Sequence, residues 1–229
     1  MKNVLICSSC THENPFYLLN CEKCTAFLRP RNPNINLWET IWKIFDTPIK
    51  TSEKIVQAEH KNFLILFLII IAFKYSLVSM IFFNVLKYQG GKTTDVQNNY
   101  FVGGLTVILL LIVFSFIITY INRFAGIKNR FKDNLSLYAY SFTPQILCLL
   151  ILTPVEFALF GEYWFTFNPS PFLIKPVAAY MLFAIESIMY LWTSMLFIMS
   201  TYAQTRNKIY SSVVGVSLSV LIFLTLLFA

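Results

Sequence analysis

Four cysteines stand in two pairs near the start of the 229-residue chain, Cys7-Ser-Ser-Cys10 and Cys21-Glu-Lys-Cys24, with ten residues between the pairs. A C-x-x-C turn presents two thiolates to one metal ion, and two such turns complete a tetrahedral four-sulfur site. The same residues could instead form two disulfides or one redox-active pair. Disulfides need an oxidising compartment, which the charge pattern below argues against. A redox C-x-x-C belongs in a thioredoxin-like βαβ setting, which is absent. The spacing therefore predicts a structural Zn2+ held by Cys7, Cys10, Cys21 and Cys24. Four cysteines fill the shell, so no coordination position is open for catalysis. His12 is a conceivable substitute ligand and reads more simply as a solvated loop residue. Residues 1–30 are too few to build a core alone, so the metal would supply the folding free energy.

The other residues that could do chemistry are charges in apolar surroundings: Lys74, Glu156 and Glu186. A charge at mid-bilayer costs about 2.5–3.5 kcal/mol on insertion scales, so each needs a partner or a watery cavity. One reading is a polar pathway for a proton, an ion or a lipid head group. The other is a structural ion pair that orients a helix bundle. If the first and fourth apolar runs are antiparallel, Lys74 and Glu186 fall at nearly equal depth, which makes Glu186 the expected partner and Glu156 the second choice.

The elements that must position these residues are apolar runs. The chain is 57% hydrophobic and 13% charged, with mean hydropathy +0.63; a soluble domain would carry about 25% charged residues. Five runs are long enough to cross a bilayer: Phe63–Leu86, Phe101–Ile121, Leu135–Phe160, Val177–Thr201 and Ser211–Ala229. The fold class is all-α membrane protein, with five transmembrane helices, a small N-terminal four-cysteine zinc ribbon and an interfacial amphipathic helix. Residues 1–30 form the ribbon, 31–61 a linker and amphipathic helices, and 62–229 the membrane domain.

Within residues 31–61, Leu37, Trp38, Ile41, Trp42, Ile44 and Phe45 cluster on one side at helical spacing. Two tryptophans on such a face suit a helix lying in the membrane interface; an amphipathic helix packed on the end of the bundle fits as well. Pro48 breaks it, and a second helix capped by Thr51 or Ser52 is expected to lead into the first span. In the third span Pro144 and Pro154 free backbone carbonyls that neighbours must satisfy, with Ser141 and Thr143 at hand. That predicts a kinked, interior span. Ser211, Gly215 and Ser219 form a small-residue stripe expected to pack inside the protein.

Lys and Arg set the orientation. Fourteen lie in residues 1–61 and the 122–134 and 202–210 loops, against Lys87, Lys92 and Lys175 on the other side. The positive-inside rule then puts the N-terminus in the cytoplasm and the C-terminus outside. Tyr88, Tyr100, Tyr120, Tyr138, Tyr163, Trp164, Tyr202 and Tyr210 stand at span ends, where amphipathic rings favour the interface. Basic residues beside a membrane point to lipid and not to nucleic acid. Gly90-Gly-Lys-Thr-Thr94 lacks the first glycine of a phosphate-binding loop. No catalytic constellation is present, and the chain does not read as an enzyme.

Two resemblances add to this. Residues 5–28, with Asn14 after the first knuckle and Leu28 after the second, resemble the short zinc-ribbon heads of many prokaryotic proteins, although Thr11 and Thr25 stand where glycine is usual. That likeness implies a structural or binding module. Residues 37–229 resemble the Yip (Ypt-interacting protein) domain family: a Trp/Ile-rich helix ending in Asp46-Thr-Pro48, five spans, and Leu137-Tyr-Ala-Tyr-Ser-Phe-Thr-Pro144 opening the third. For eukaryotic members the family implies Golgi and ER proteins that bind Rab-type small GTPases in vesicle traffic. The ribbon makes a prokaryotic member, in the cell (inner) membrane, the better match, and a small GTPase partner is implied by the family resemblance alone. The expected function is a non-enzymatic membrane scaffold or adaptor in membrane organisation or trafficking, whose ribbon binds a cytosolic or membrane protein. The alternative is a small transporter or lipid-moving protein using Lys74, Glu186 and Glu156.

Overall fold

The computed structural model describes residues 4–90 and 101–228. Lys92, Tyr100 and residues 91–94 of the Gly90–Thr94 motif lie outside them, as do the side chains of Lys87 and Tyr88. The described chain is mostly helical. A short antiparallel hairpin, β1 (Val4–Ile6) with β2 (Glu13–Pro15), pairs Val4 with Pro15 and Ile6 with Glu13. Helices α1 (Leu37–Asp46) and α2 (Pro48–Gln57) follow, then α3 (Leu64–Gly90) and α4 (Val102–Phe124). The third membrane segment is built from α5 (Phe131–Ser141), α6 (Thr143–Leu147), a π-helical turn (Cys148–Leu152) and α7 (Thr153–Phe160). Two short helices, α8 (Tyr163–Thr166) and α9 (Pro171–Ile174), link it to α10 (Pro176–Thr205) and α11 (Lys208–Phe228).

Among the described residues, five helical segments are long and apolar enough to span a bilayer: Leu64–Leu86, Val102–Phe124, Thr143–Phe160, Pro176–Thr205 and Lys208–Leu227. They match the expected runs within a few residues, except that the third begins later. At both prolines that segment is divided. Pro144 lies in the first turn of α6 and Pro154 in the first turn of α7, which follows the π-turn directly. Pro144 leaves the Tyr140 carbonyl without its helical donor, and the Thr143 hydroxyl supplies one at 2.6 Å. Only the first half of the segment is interior. Residues 133–146 are buried throughout, whereas Leu150, Ile151 and Phe157 face outward.

Close approaches hold the bundle. A Cβ on Gly104 would lie 2.2 Å from the Ala72 carbonyl oxygen of α3, and one on Gly215 would lie 2.6 Å from the Ile198 backbone nitrogen of α10. The Ser211–Gly215–Ser219 stripe is thus an internal contact against α10, where Tyr190 Oη also donates to the Ser219 carbonyl at 2.7 Å. At the end of the bundle nearest the head the interior is polar. Ser200 Oγ lies 2.8 Å from Ser141 Oγ and 3.1 Å from Ser52 Oγ, and Asn134 donates to Thr119 at 2.7 Å.

Two expectations need correction. Helix α2 starts at Pro48, not at Thr51 or Ser52: proline fits the first turn of a helix, so it begins this one as well as ending α1. Thr51 and Ser52 are buried inside α2, Ser52 reaching across to α10. Tyr138 and Trp164 are not interfacial. Tyr138 is buried with its hydroxyl 3.3 Å from Thr201, and Trp164 packs on Phe160.

Candidate metal centre and its seat on the bundle

The two C-x-x-C turns have the same backbone construction. Thr11 N–H donates to the Cys7 carbonyl and Cys7 N–H to the His12 carbonyl; Thr25 N–H donates to the Cys21 carbonyl and Cys21 N–H to the Ala26 carbonyl. Each turn closes through a left-handed residue, Thr11 at φ 55° and Thr25 at φ 60°. These are the positions where glycine is expected, and a β-branched residue there is strained. Each threonine hydroxyl donates to the preceding carbonyl at 2.7 Å.

The four sulfurs lie within 4.8 Å of one another, with Cys7–Cys24 and Cys10–Cys21 both at 3.5 Å. A disulfide would need about 2.05 Å. Ligands about 2.3 Å from a central zinc would be about 3.8 Å apart at the corners of a tetrahedron. The donor set and its spacing therefore fit one metal ion. Asn14, fully buried, ties the turns together: its side-chain amide donates to the His12 carbonyl and to Cys21 Sγ, and its Oδ1 accepts from Glu22 N–H at 2.9 Å. Burial pushes the Cys21 thiol up, but the N–H groups of Cys24 and Lys23 outweigh it and bring it down to about 6. Cys24 is pulled down by Ala26 N–H but pushed further up, to about 12, by Cys10 and Cys7. Four thiols this close cannot all ionise unless a cation sits among them.

The head is seated on the bundle. Arg29 Nε donates to the Leu18 carbonyl at 3.1 Å, and its Nη2 reaches both the Tyr17 carbonyl at 2.9 Å and the Gln57 carbonyl of α2 at 2.8 Å. Arg130 stacks over the Tyr17 ring, 4.5 Å from its centre, and Lys128 lies 3.7 Å from Glu22. The 31–36 segment, expected as a linker, is held along its length: Arg31 pairs with Glu59 at 2.9 Å, and Glu59 and His60 N–H donate to the Asn32 and Pro33 carbonyls.

Beneath this seat lies a buried lock that the sequence reading missed. Lys61 Nζ donates to the Ile55, Val56 and Ala58 carbonyls, satisfying the end of α2, and lies 3.2 Å from Asp133. Asp133 also takes both Arg130 contacts, at 2.8 and 3.1 Å. Burial pushes the Lys61 ammonium down, to about 8, and Asp133 pulls it partly back. The available signal was Asp133 itself, the single acid in a basic loop at the mouth of an apolar run.

Within the spans, Lys74 Nζ lies 2.6 Å from Glu186 Oε1, and the Lys74 side chain is 5% exposed. Glu156 is buried within electrostatic reach of both, and among the described residues its Oε1 has no hydrogen-bond partner. A cavity of about 650 Å3 opens toward the lipid between α3 and the π-turn. Its lining, which includes Ile69, Phe73, Leu150 and Phe157, is apolar apart from Thr153 and contains none of the three charges.

No curated protein and no solved structure matches this chain. The family model for the Yip1 domain matches residues 42–229, from within α1 through all five membrane segments, so this mostly helical membrane protein belongs to the Yip1 domain family.

Proposed function

We propose that the protein is a non-enzymatic membrane scaffold or adaptor, with a structural zinc ribbon displayed as a fixed part of one face of the bundle. The observation that carries this reading is the seat of the head. Arg29, Tyr17–Arg130 and Glu22–Lys128 tie it to α2 and to the 122–134 loop. A head held in this way offers a partner one composite surface made from the ribbon, α2 and that loop. The fourteen-to-three distribution of Lys and Arg supports a cytoplasmic ribbon and an outside C-terminus. The ribbon's spelling supports a prokaryotic cell membrane as the setting.

A second reading, a transporter or lipid-moving protein, is favoured by one observation: the unpartnered Glu156 Oε1 beside the Lys74–Glu186 pair. Against it, the pair is closed at 2.6 Å and the lipid-facing cavity is apolar. Crosslinking pull-down from native membranes, with the full chain and with residues 1–30 removed, tests the scaffold reading. The same partner should be captured by the full chain and lost without the head. Equal capture by both would contradict the reading.

A further inference from the structure

Helix α1 presents different chemistry on each of its edges. Thr40 and Ile44 are buried against the protein, while Trp38 and Trp42, one turn apart, are 71% and 72% exposed on the opposite side. Phe45 stacks with Trp192 of α10, ring centres 6.4 Å apart, so the Ile41–Phe45 edge lies against a membrane span. At 100° per residue the Glu39–Lys43 edge lies across the helix from Ile41 and Phe45. A helix with exposed tryptophans, one edge on a span and the other charged lies at the level where lipid head groups begin.

On the charged edge is a small cavity of about 130 Å3 with polar walls from Asn34, Thr40 and Thr51, an apolar floor from Ile35 and Ile55, and the half-exposed Glu39, Lys43 and Lys54 at its rim. That volume holds about four water molecules, the scale of a phosphate group. Glu39 Oε1 accepts from Lys43 Nζ at 2.6 Å and from Lys54 Nζ at 3.1 Å. One carboxylate therefore draws two ammonium groups to a single point and neutralises only one of them. Each ammonium carries three donors and spends one on Glu39. What remains is a paired set of N–H donors with one unit of positive charge beside a small, partly polar cavity at head-group depth.

We propose that this cavity between α1, α2 and the 32–36 segment binds the phosphate of an anionic phospholipid in the leaflet on the ribbon side, with Lys43 and Lys54 as its cationic ligands and Glu39 as the residue that positions them. The proposal goes beyond the scaffold reading and does not depend on a protein partner. Trp38 and Trp42 hold α1 at the depth that brings the phosphate within reach. A phosphate monoanion completes the charge balance that Glu39 leaves open.

The test uses the full chain reconstituted in vesicles of phosphatidylcholine mixed with phosphatidylglycerol. Native mass spectrometry then counts the lipids retained after extraction. The wild type should retain phosphatidylglycerol over phosphatidylcholine. A lysine beside an anionic head group contributes about fivefold, so Lys43→Gln with Lys54→Gln should reduce the preference by about 25-fold. Lys43→Arg with Lys54→Arg keeps the charge and should keep the preference, which separates loss of the site from loss of the fold. Lys50→Gln with Lys208→Gln removes the same charge from exposed positions outside the cavity and should leave the preference unchanged. An equal loss from that control pair, or none from the Lys43/Lys54 pair, would overturn the proposal. Inorganic phosphate added in detergent distinguishes the source: displacement of retained phosphatidylglycerol by millimolar free phosphate would make this a soluble-phosphate site and overturn the lipid assignment.

Discussion

Replacing Lys74 with Met removes the one cation that the described residues place at a site with two buried or partly buried carboxyl groups. Lys74 is 2.6 Å from Glu186, and the Lys74 and Glu186 side chains are 5% and 20% exposed. Breaking a buried pair by removing one partner costs about 3–5 kcal/mol, because the remaining charge loses its compensation. The two single changes are not equivalent. Lys74→Met leaves Glu186 and Glu156 in each other's field with nothing between them, so it should fall at the upper end of that range. Glu186→Gln leaves Lys74 within reach of Glu156, so it should cost about 3 kcal/mol or less. The double change removes one charge of each sign and should recover much of the loss, giving a coupling energy of about 2–3 kcal/mol. Unfolding in mixed micelles by titration with a denaturing detergent measures all four corners of the cycle. A double variant that equals the sum of its singles within about 0.5 kcal/mol would refute the pairing as a stabilising interaction. Equal costs for the two singles would refute the role given to Glu156.

Three further outcomes follow from the head and its seat. Thr11→Gly and Thr25→Gly should each relieve a left-handed β-branched residue by about 1 kcal/mol and slow metal loss to a chelator; faster loss from both would mean the Thr hydroxyl bonds outweigh the strain. Arg29→Ala removes the bonds that join the head to α2, so hydrogen exchange should rise at residues 13–29 and 55–58 while the spans stay protected; unchanged exchange at both places would show that the head is held by other contacts. For Lys61 the folded value, about 8, lies below the ordinary 10.5. Between those limits the unfolded chain holds this proton and the folded chain does not, so raising the pH favours the folded state. Relative to Lys61→Met, the wild type should gain up to about 3 kcal/mol from pH 8 to pH 10.5. A flat difference would place the ammonium in a more solvated setting.

Much of the fold was legible because the signals are local. A run of apolar residues reports a span without reference to its neighbours, and four of the five described spans lie within a few residues of the expected runs, the third beginning later. The C-x-x-C turns were legible for the same reason, since each is closed by its own backbone. Pairing across distance was legible only where antiparallel spans fix the depth, as for Lys74 and Glu186, and not where it depends on how the segments outside the spans pack. Lys61 and Asp133 are 72 positions apart and meet only because α2 and α5 pack together. Arg29 carries no local sign of its role, which depends on the Leu18, Tyr17 and Gln57 carbonyls converging on it. Tyr138 was assigned to the interface by its position near a run's end, but α5 starts its buried course before that point. Pro48 was read only as a terminator because its second role depends on the direction the chain takes next.

A metal-folded head and a pair of reduced, unstructured turns differ in one measurable quantity, the zinc content of the protein. Metal analysis of the full chain, purified from membranes in detergent without chelator, reads it directly. About one zinc per chain is expected, falling to none when Cys21 and Cys24 are replaced by Ser. A wild-type protein that carries no metal and takes none up from a zinc-containing buffer would contradict the account.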